Sequence, residues 1–193
     1  MDKALRKGGL KTVYAALPKD IRQQVAQRYE ALIRENPQTD KSLIRHVHGA
    51  ILPAIAIREV LPENGYDKDE CIRLIRASAL DNARPMQKVF SAAGRLPFFF
   101  AFFRVMCKNA MPLMFSDGGW AFQWKTNSKT AIEWDCTQCI YHDLFVQYGV
   151  PELTPIFCEC DDVIYGNIPT ARWGRSKTIG RGADVCDFRF YKI

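Results

Sequence analysis

"GWAFQWKTNSKTAIEWDC", residues 119–136, divides the chain into two kinds of sequence. Trp120, Phe122 and Trp124, then Ile132, Trp134 and Cys136, alternate with polar residues on either side of Asn127 and Ser128. A period of two is that of a half-buried strand, and Asn and Ser supply turn chemistry, so the stretch predicts an antiparallel hairpin. Before it the period is helical. Pro18 and Asp20 open "KDIRQQVAQRYEALIREN", with Ile21, Val25, Tyr29, Leu32 and Ile33 on one stripe. "SLIRHVHGAILPAIAIREVL" follows, with Ser42 as the expected cap and Pro53 as the expected kink. "YDKDECIRLIRASALDNARPMQKVFSAAG" predicts a third helix that closes at Gly94, and Pro97 to about Leu113 a fourth, apolar nearly all round and therefore buried.

After the hairpin, "CIYHDLFVQYG" returns to helical spacing with Gly149 as its C-cap residue. "TPIFCECDDVIYGN" reads as a short helix capped by Thr154, with Pro155 at the first helical position. "ARWGRSKTI" and "DVCDFRFYKI", joined through Gly180 and Gly182, read as two last strands. Helices followed by antiparallel strands predict an α+β fold: N-terminal helices packed on an antiparallel sheet of about four or five strands, with two short inserted helices. The expected organisation is one domain over 1–193, with a helical part (1–115) and a part (116–193) that carries the sheet, the short helices and the site. Strict βα alternation and a glycine-rich phosphate loop are both missing, which argues against a Rossmann-type nucleotide binder.

The 193 residues are 48% hydrophobic and 25% charged, the proportions of a globular protein with a sizeable core. A net charge of +6 raises nucleic acid as a partner. The cations do not form an aromatic-interleaved stripe, so no nucleic-acid partner is expected and an anionic small substrate explains the C-terminal arginines better. "LPFFFAFF" is far shorter than the roughly 20 residues that span a bilayer, so no membrane partner is expected. The charged N-terminus lacks the apolar core of a signal peptide. A cytoplasmic location follows as an expectation, and it would keep the seven cysteines as thiols. A homo-oligomer is compatible with the sequence.

The chemistry is concentrated in "PIFCECDDVIYG", residues 155–166, where two cysteines and two aspartates occupy five consecutive positions. Cys71 and Cys107 lie in apolar stripes and read as packing. Cys136 and Cys139 form C-x-x-C with His142 three residues on, and with Cys158 and Cys160 they offer a zinc set. The second pair is C-x-C on a helix, where the two side chains diverge, so no metal and no cofactor is the preferred reading. With Thr154 as cap, Cys158 would sit in a first helical turn, whose orphan amides favour a thiolate, and Cys139 would do so if Thr137 capped its helix. Cys158, Asp161, Asp162 and Tyr165 share a helix face, with Asp162 expected to be merely solvated. His142, one turn beyond Cys139, makes a candidate thiol–imidazole pair. His46 and His48, with no acid or thiol nearby in sequence, read as ordinary surface or core histidines.

"HVHGAILPAIAIREVL", "CIYHDLFVQYGVPELTPIFCECDDVIYG" and "RWGRSKTIGRGADVCDFRFYK" together resemble the L-2-amino-thiazoline-4-carboxylic acid hydrolase family, over the chain from about residue 44 to the end. The "CDFRF" end also resembles the small-molecule-binding 4-vinyl reductase type of domain. The first resemblance implies a hydrolase that opens a C–N or C=N bond of a small cyclic amidine-like or amide substrate, and by motif it carries over Cys139, Cys158, Asp161, Arg175, Thr178, Cys186, Asp187 and Phe188. The expected roles are Cys158 as nucleophile or water-positioning group, Asp161 as proton donor or amidinium partner, and Cys139 and His142 beside them. Arg175, Thr178, Cys186 and Asp187 are expected to bind substrate, with Arg175 on its carboxylate. The second resemblance implies instead a non-catalytic module that binds a small molecule or zinc.

Overall fold

In the computed structural model, which describes residues 2–193, the helical stripes of the first half pack against one another and the second half is built around the predicted hairpin. Two short helices, α1 (Asp2–Leu5) and α2 (Lys11–Ala16), precede α3 (Lys19–Glu35). The stripe of α3 buries Ile21, Val25, Tyr29 and Leu32, and Val25 and Leu32 are fully covered. Next come α4 (Lys41–His46), a π-helical turn at Val47–Ile51 and α5 (Leu52–Glu63). Almost every residue of α5 from Leu52 to Ile57 is buried, which makes it the central rod of the larger core. Each fully buried Leu or Ile there contributes at most about 1.5–3 kcal/mol.

Two local expectations are corrected in this segment. Asp40, not Ser42, caps α4, accepting from the amides of Ser42 and Leu43 at 2.7 and 3.0 Å. A carboxylate is available two residues earlier, and the Ser42 hydroxyl donates to the Met114 carbonyl instead. Pro53 does not produce a simple kink. The ring cannot donate to a carbonyl four residues back, and the chain accommodates it with the π turn before it, so that the Gly49 carbonyl accepts from the Gly9 amide at 2.8 Å.

The third predicted helix is α6 (Lys68–Ala93), capped by Asp67 and running through Pro85 to Gly94. The fourth is α7 (Phe99–Met114), and here the expectation of burial all round fails. Phe99, Phe100, Phe103, Cys107 and Met111 are buried, while Phe98, Phe102, Val105 and Leu113 face outward.

The hairpin consists of β1 (Trp120–Asn127) and β2 (Ala131–Cys139). The chain then forms α8 (Ile140–Gln147), a 3-10 turn at Pro151–Leu153, α9 (Thr154–Tyr165), β3 (Ala171–Gly174), a 3-10 turn at Ile179–Arg181 and β4 (Cys186–Lys192). Gly149 follows α8 at φ +69°, the left-handed residue expected there. The sheet is four-stranded and antiparallel in the order β1-β2-β4-β3, so the architecture is α+β.

Register decides where the chemistry falls. Ile132 pairs with Phe190, Trp134 with Phe188 and Cys136 with Cys186, all by the period-two rule on one face of the sheet. That face runs from an aromatic end to a thiol end. Its aromatic end packs on α7, with Phe103 against Phe190 at 4.9 Å between ring centres. The thiol end joins the larger core together with α8 and α9. On the opposite face, Glu133, Asp135, Arg189 and Tyr191 form a polar network in which Arg189 bonds Asp135 at 2.5 Å and Tyr191 bonds Glu133 at 2.7 Å. No helix among the described residues is long and apolar enough to cross a membrane.

Candidate active site

The predicted strand "ARWGRSKTI" stops at Gly174, and the reason is Asp187. Its buried carboxylate accepts from the Ser176 amide at 2.9 Å, the Ser176 hydroxyl at 2.7 Å and the Lys177 amide at 2.6 Å. Backbone groups held by a side chain cannot enter a ladder, so residues 175–178 leave the sheet as a loop. Burial pushes this carboxyl up, but the bonds from Ser176 and Lys177 outweigh it and hold it below the usual aspartate range. The Asp187 oxygens are therefore occupied by the loop. Asp187 binds no substrate through them; it fixes the two residues between Arg175 and Thr178.

Arg175, thus positioned, turns toward α9 with a side chain only 4% exposed. It donates to Asp161 at 2.9 Å and to the Cys158 carbonyl at 2.6 Å, and lies 2.7 Å from Asp162. The rings of Trp173 and Phe188 flank it at 5.5 and 5.7 Å. Two expectations change. Asp162 is not merely solvated, since it pairs with Arg175 and accepts from the Trp173 indole at 3.0 Å. Arg175 is not free to receive a substrate carboxylate, because both of its terminal nitrogens are engaged within the protein.

Cys158 also differs from expectation. The 3-10 turn at Pro151–Leu153 runs straight into α9, Leu153 is already helical, and Thr154 is itself the first residue of the helix. Cys158 is therefore a turn deeper than the orphan amides, whose influence fades within the first turn. The neighbouring Cys186 thiol, burial and the Asp161 carboxylate push its thiol far above the usual range, against the pull of Arg175. A resting thiolate at Cys158 is not what this geometry favours. The Cys186 sulfur accepts from the Ile179 amide at 3.2 Å.

Cys139 is the residue that occupies a helix start, although Thr137 does not cap it. Cys139 ends β2 and is itself the N-cap of α8. Burial pushes its thiol up to about 11, opposed by the backbone amides of His142 and Tyr141. The His142 imidazole forms no hydrogen bond with the Cys139 thiol. Its Nδ1 is buried without a hydrogen-bond partner, so the expected thiol–imidazole pair is not formed.

Asp161 lies at the centre of what remains. Its charge is felt by Cys136, Cys139, Cys158 and Cys160 and by the phenols of Tyr141 and Tyr165. Burial raises its own carboxyl to about 6, against the charge and hydrogen bond of Arg175. A third of its side-chain surface is nonetheless accessible, so it is not in sealed core. Thr178 and Thr154 lie close by, both buried, with hydroxyls that have no partner. Gly180 closes the arrangement. A Cβ there would stand 2.8 Å from Thr154 Cγ2 and 3.1 Å from Cys158 Sγ, so only glycine lets this turn approach α9.

Cys158, Asp161, Arg175, Cys186 and Cys139 are thus brought together, Thr178 adjoins them, Asp187 supports them from behind, and His142 stands apart. Sequence reasoning missed Tyr141, Trp173 and the close approach of Gly180. It also took His46 for an ordinary histidine, although His46 bonds the Tyr141 hydroxyl at 2.9 Å and so touches the cluster through it. Tyr141 could have been found from its position between the predicted pair Cys139 and His142; the others depend on the loop path. The seven cysteines are all free thiols. Among the described residues no three His, Cys, Asp or Glu side chains are arranged to hold a metal ion. Two surface depressions, one beside Gln87 and Asn167 and one beside Gln24 and Glu63, lie away from this cluster.

Searches of curated proteins and of solved structures find no match. A family model described as L-2-amino-thiazoline-4-carboxylic acid hydrolase matches residues 44–190, a span that includes α5, the whole sheet to within three residues of its end, and every site residue named above. The chain belongs to the L-2-amino-thiazoline-4-carboxylic acid hydrolase family.

Proposed function

We propose that the protein hydrolyses a carbon–nitrogen bond of a small cyclic amidine-like or amide substrate, and that Asp161, not a thiolate, moves the proton. The observation that carries this reading is the Asp161–Arg175 couple at 2.9 Å, in which the arginine is buried and a third of the aspartate side chain is accessible. A carboxylate that gains its proton near pH 6 works as a base and then as an acid close to neutrality. As base, Asp161 takes a proton from water while the water oxygen bonds to the amidine carbon. As acid, it returns that proton to the departing nitrogen as the C–N bond breaks. Arg175 orients the carboxylate and limits how far burial raises it.

The thiols supply a weakly hydrated wall. Cys158 and Cys186 position the substrate against Asp161 and do not attack it. The unpartnered hydroxyls of Thr178 and Thr154 are donors available to a polar substrate edge. Lys177 and Arg181, exposed on either side of Thr178 and without an acidic partner among the described residues, are the cations to meet a substrate carboxylate. Solvent-side cations suit a charged substrate that must enter and leave.

The test is the pH profile of turnover of 2-amino-thiazoline-4-carboxylate and a panel of cyclic amidines. kcat/KM should rise with pH through about 6 and then level, since Asp161 must be ionised to accept the first proton. Asp161→Asn should lower kcat by roughly 10²–10⁴-fold and abolish that limb. An unchanged profile in Asp161→Asn, or loss of all turnover in Cys158→Ser with a trapped thioester-like adduct in the parent, would overturn the assignment of the proton transfer to Asp161.

A further inference from the structure

The second apolar face of α7 has no role in the core or in the site. Leu96, Phe98, Phe102, Val105 and Leu113 are 45%, 62%, 60%, 52% and 79% exposed, and the last four lie at i, i+4, i+7 and i+15, on one stripe of the helix. Single exposed apolar residues are ordinary, but an aromatic stripe along a helix whose opposite side is already buried marks an interaction surface. The charge around it is one-sided. From residue 82 to residue 116 the sequence contains Arg84, Lys88, Arg95, Arg104 and Lys108 and no acidic residue at all. Lys88, Arg95, Arg104 and Lys108 make no salt bridge among the described residues.

That charge selects the occupant. A second copy meeting this face through a two-fold axis would bring its own cations against these. A neutral apolar groove would leave them unmatched. An anionic lipid surface matches both features: phenylalanine and leucine side chains enter the boundary between headgroups and acyl chains, while arginine and lysine meet the headgroup phosphates. No shaped recess is needed for side chains that project from a single helix. The length of the apolar run excludes crossing a bilayer and is compatible with lying on one. We propose that α7 docks the protein on an anionic membrane surface, with Phe98 and Phe102 as the inserted residues and Arg95, Arg104 and Lys108 at the headgroups.

The full chain should co-sediment with phosphatidylcholine vesicles containing about a third phosphatidylserine and not with phosphatidylcholine alone, and added salt should release it. Phe102→Ser and Lys108→Glu, both at exposed positions, should each weaken partitioning by roughly tenfold while leaving the thermal melt and the hydrolase assay unchanged. Failure to bind anionic vesicles, or binding untouched by both substitutions, would overturn the proposal. So would a concentration-dependent dimer abolished by Phe102→Ser, which would give the face to a second copy. Retention on immobilised polyglutamate in preference to the vesicles would give it to an acidic protein.

Discussion

Asp161 and Asp187 are neighbours of the same arginine-bearing loop, and they behave in opposite ways. Asp187 is buried on the polar side of the sheet and saturated by the Ser176 and Lys177 donors, which hold it ionised. Asp161 is buried on the thiol side and has one strong donor, Arg175, too little to offset burial. The number of donors, more than the depth, separates a carboxylate that fixes a loop from one that exchanges a proton. The two also pull stability in opposite directions with pH. Asp187, lowered in the folded state, stabilises above the ordinary aspartate range and loses that contribution as pH falls through its folded value. Asp161, raised in the folded state, favours folding most below 3.8, and that contribution is lost as pH rises from 3.8 to about 6.

The contrast is broken most severely at Asp187. Asp187→Ala would leave two part-buried backbone amides and a hydroxyl without their acceptor, and should cost about 1–3 kcal/mol in urea unfolding, with turnover lost because Arg175 and Thr178 are no longer held. Asp187→Asn, which keeps one acceptor oxygen, should recover part of both. Equal stability for the alanine variant and the parent would mean that the loop is held by something other than this carboxylate.

A smaller effect is expected at Arg175. Arg175→Gln removes the cation from between Asp161 and Asp162, but Asp162 is 44% exposed and Asp161 can take up a proton, so neither charge is stranded as in a sealed pair. Destabilisation should stay near 2 kcal/mol, and the informative readout is the pH profile. Arg175 lowers the Asp161 carboxyl, so its loss should move the acidic limb of kcat/KM to higher pH. A limb that stayed in place would show that another group titrates.

How far the sequence reveals this site depends on whether its parts are local. The hairpin, its period of two and the helix after Pro155 follow from spacing alone, and with them the placing of Asp161 on one face with Cys158. The fold class is equally visible, because helical and alternating stretches do not mix. The position of Cys158 within its helix was misjudged by a turn, since Pro151 starts a 3-10 turn that leads directly into α9 and makes a cap at Thr154 unnecessary. The pairing of Arg175 with Asp162 could not be read, because it depends on Asp187 ending β3 early, a contact between residues 11 apart in a strand that the alternation would otherwise continue. The outward face of α7 was hidden for another reason. A helix apolar on both sides looks buried in sequence, and only packing shows that the sheet covers one side.

The smallest effect separates the thiols themselves. The neighbouring Cys186 thiol is the largest of the causes that raise Cys158. In the parent, Cys158 should therefore react slowly with iodoacetamide at neutral pH, no faster than the buried Cys107, whose thiol burial alone pushes up to about 12. Cys186→Ala removes that neighbour while leaving Arg175 in place, so the Cys158 pKa should fall and its labelling, mapped by mass spectrometry, should quicken by a few-fold, limited by the burial that remains. Asp161 should not sense the change strongly, because its carboxyl is governed by burial and Arg175 and not by Cys186. If Cys158 in the parent were instead labelled well ahead of every other cysteine, the site would hold a working thiolate. Asp161 would then stand as partner to a nucleophile, and the division between a proton-exchanging side and an inert side would have to be drawn within the thiol cluster.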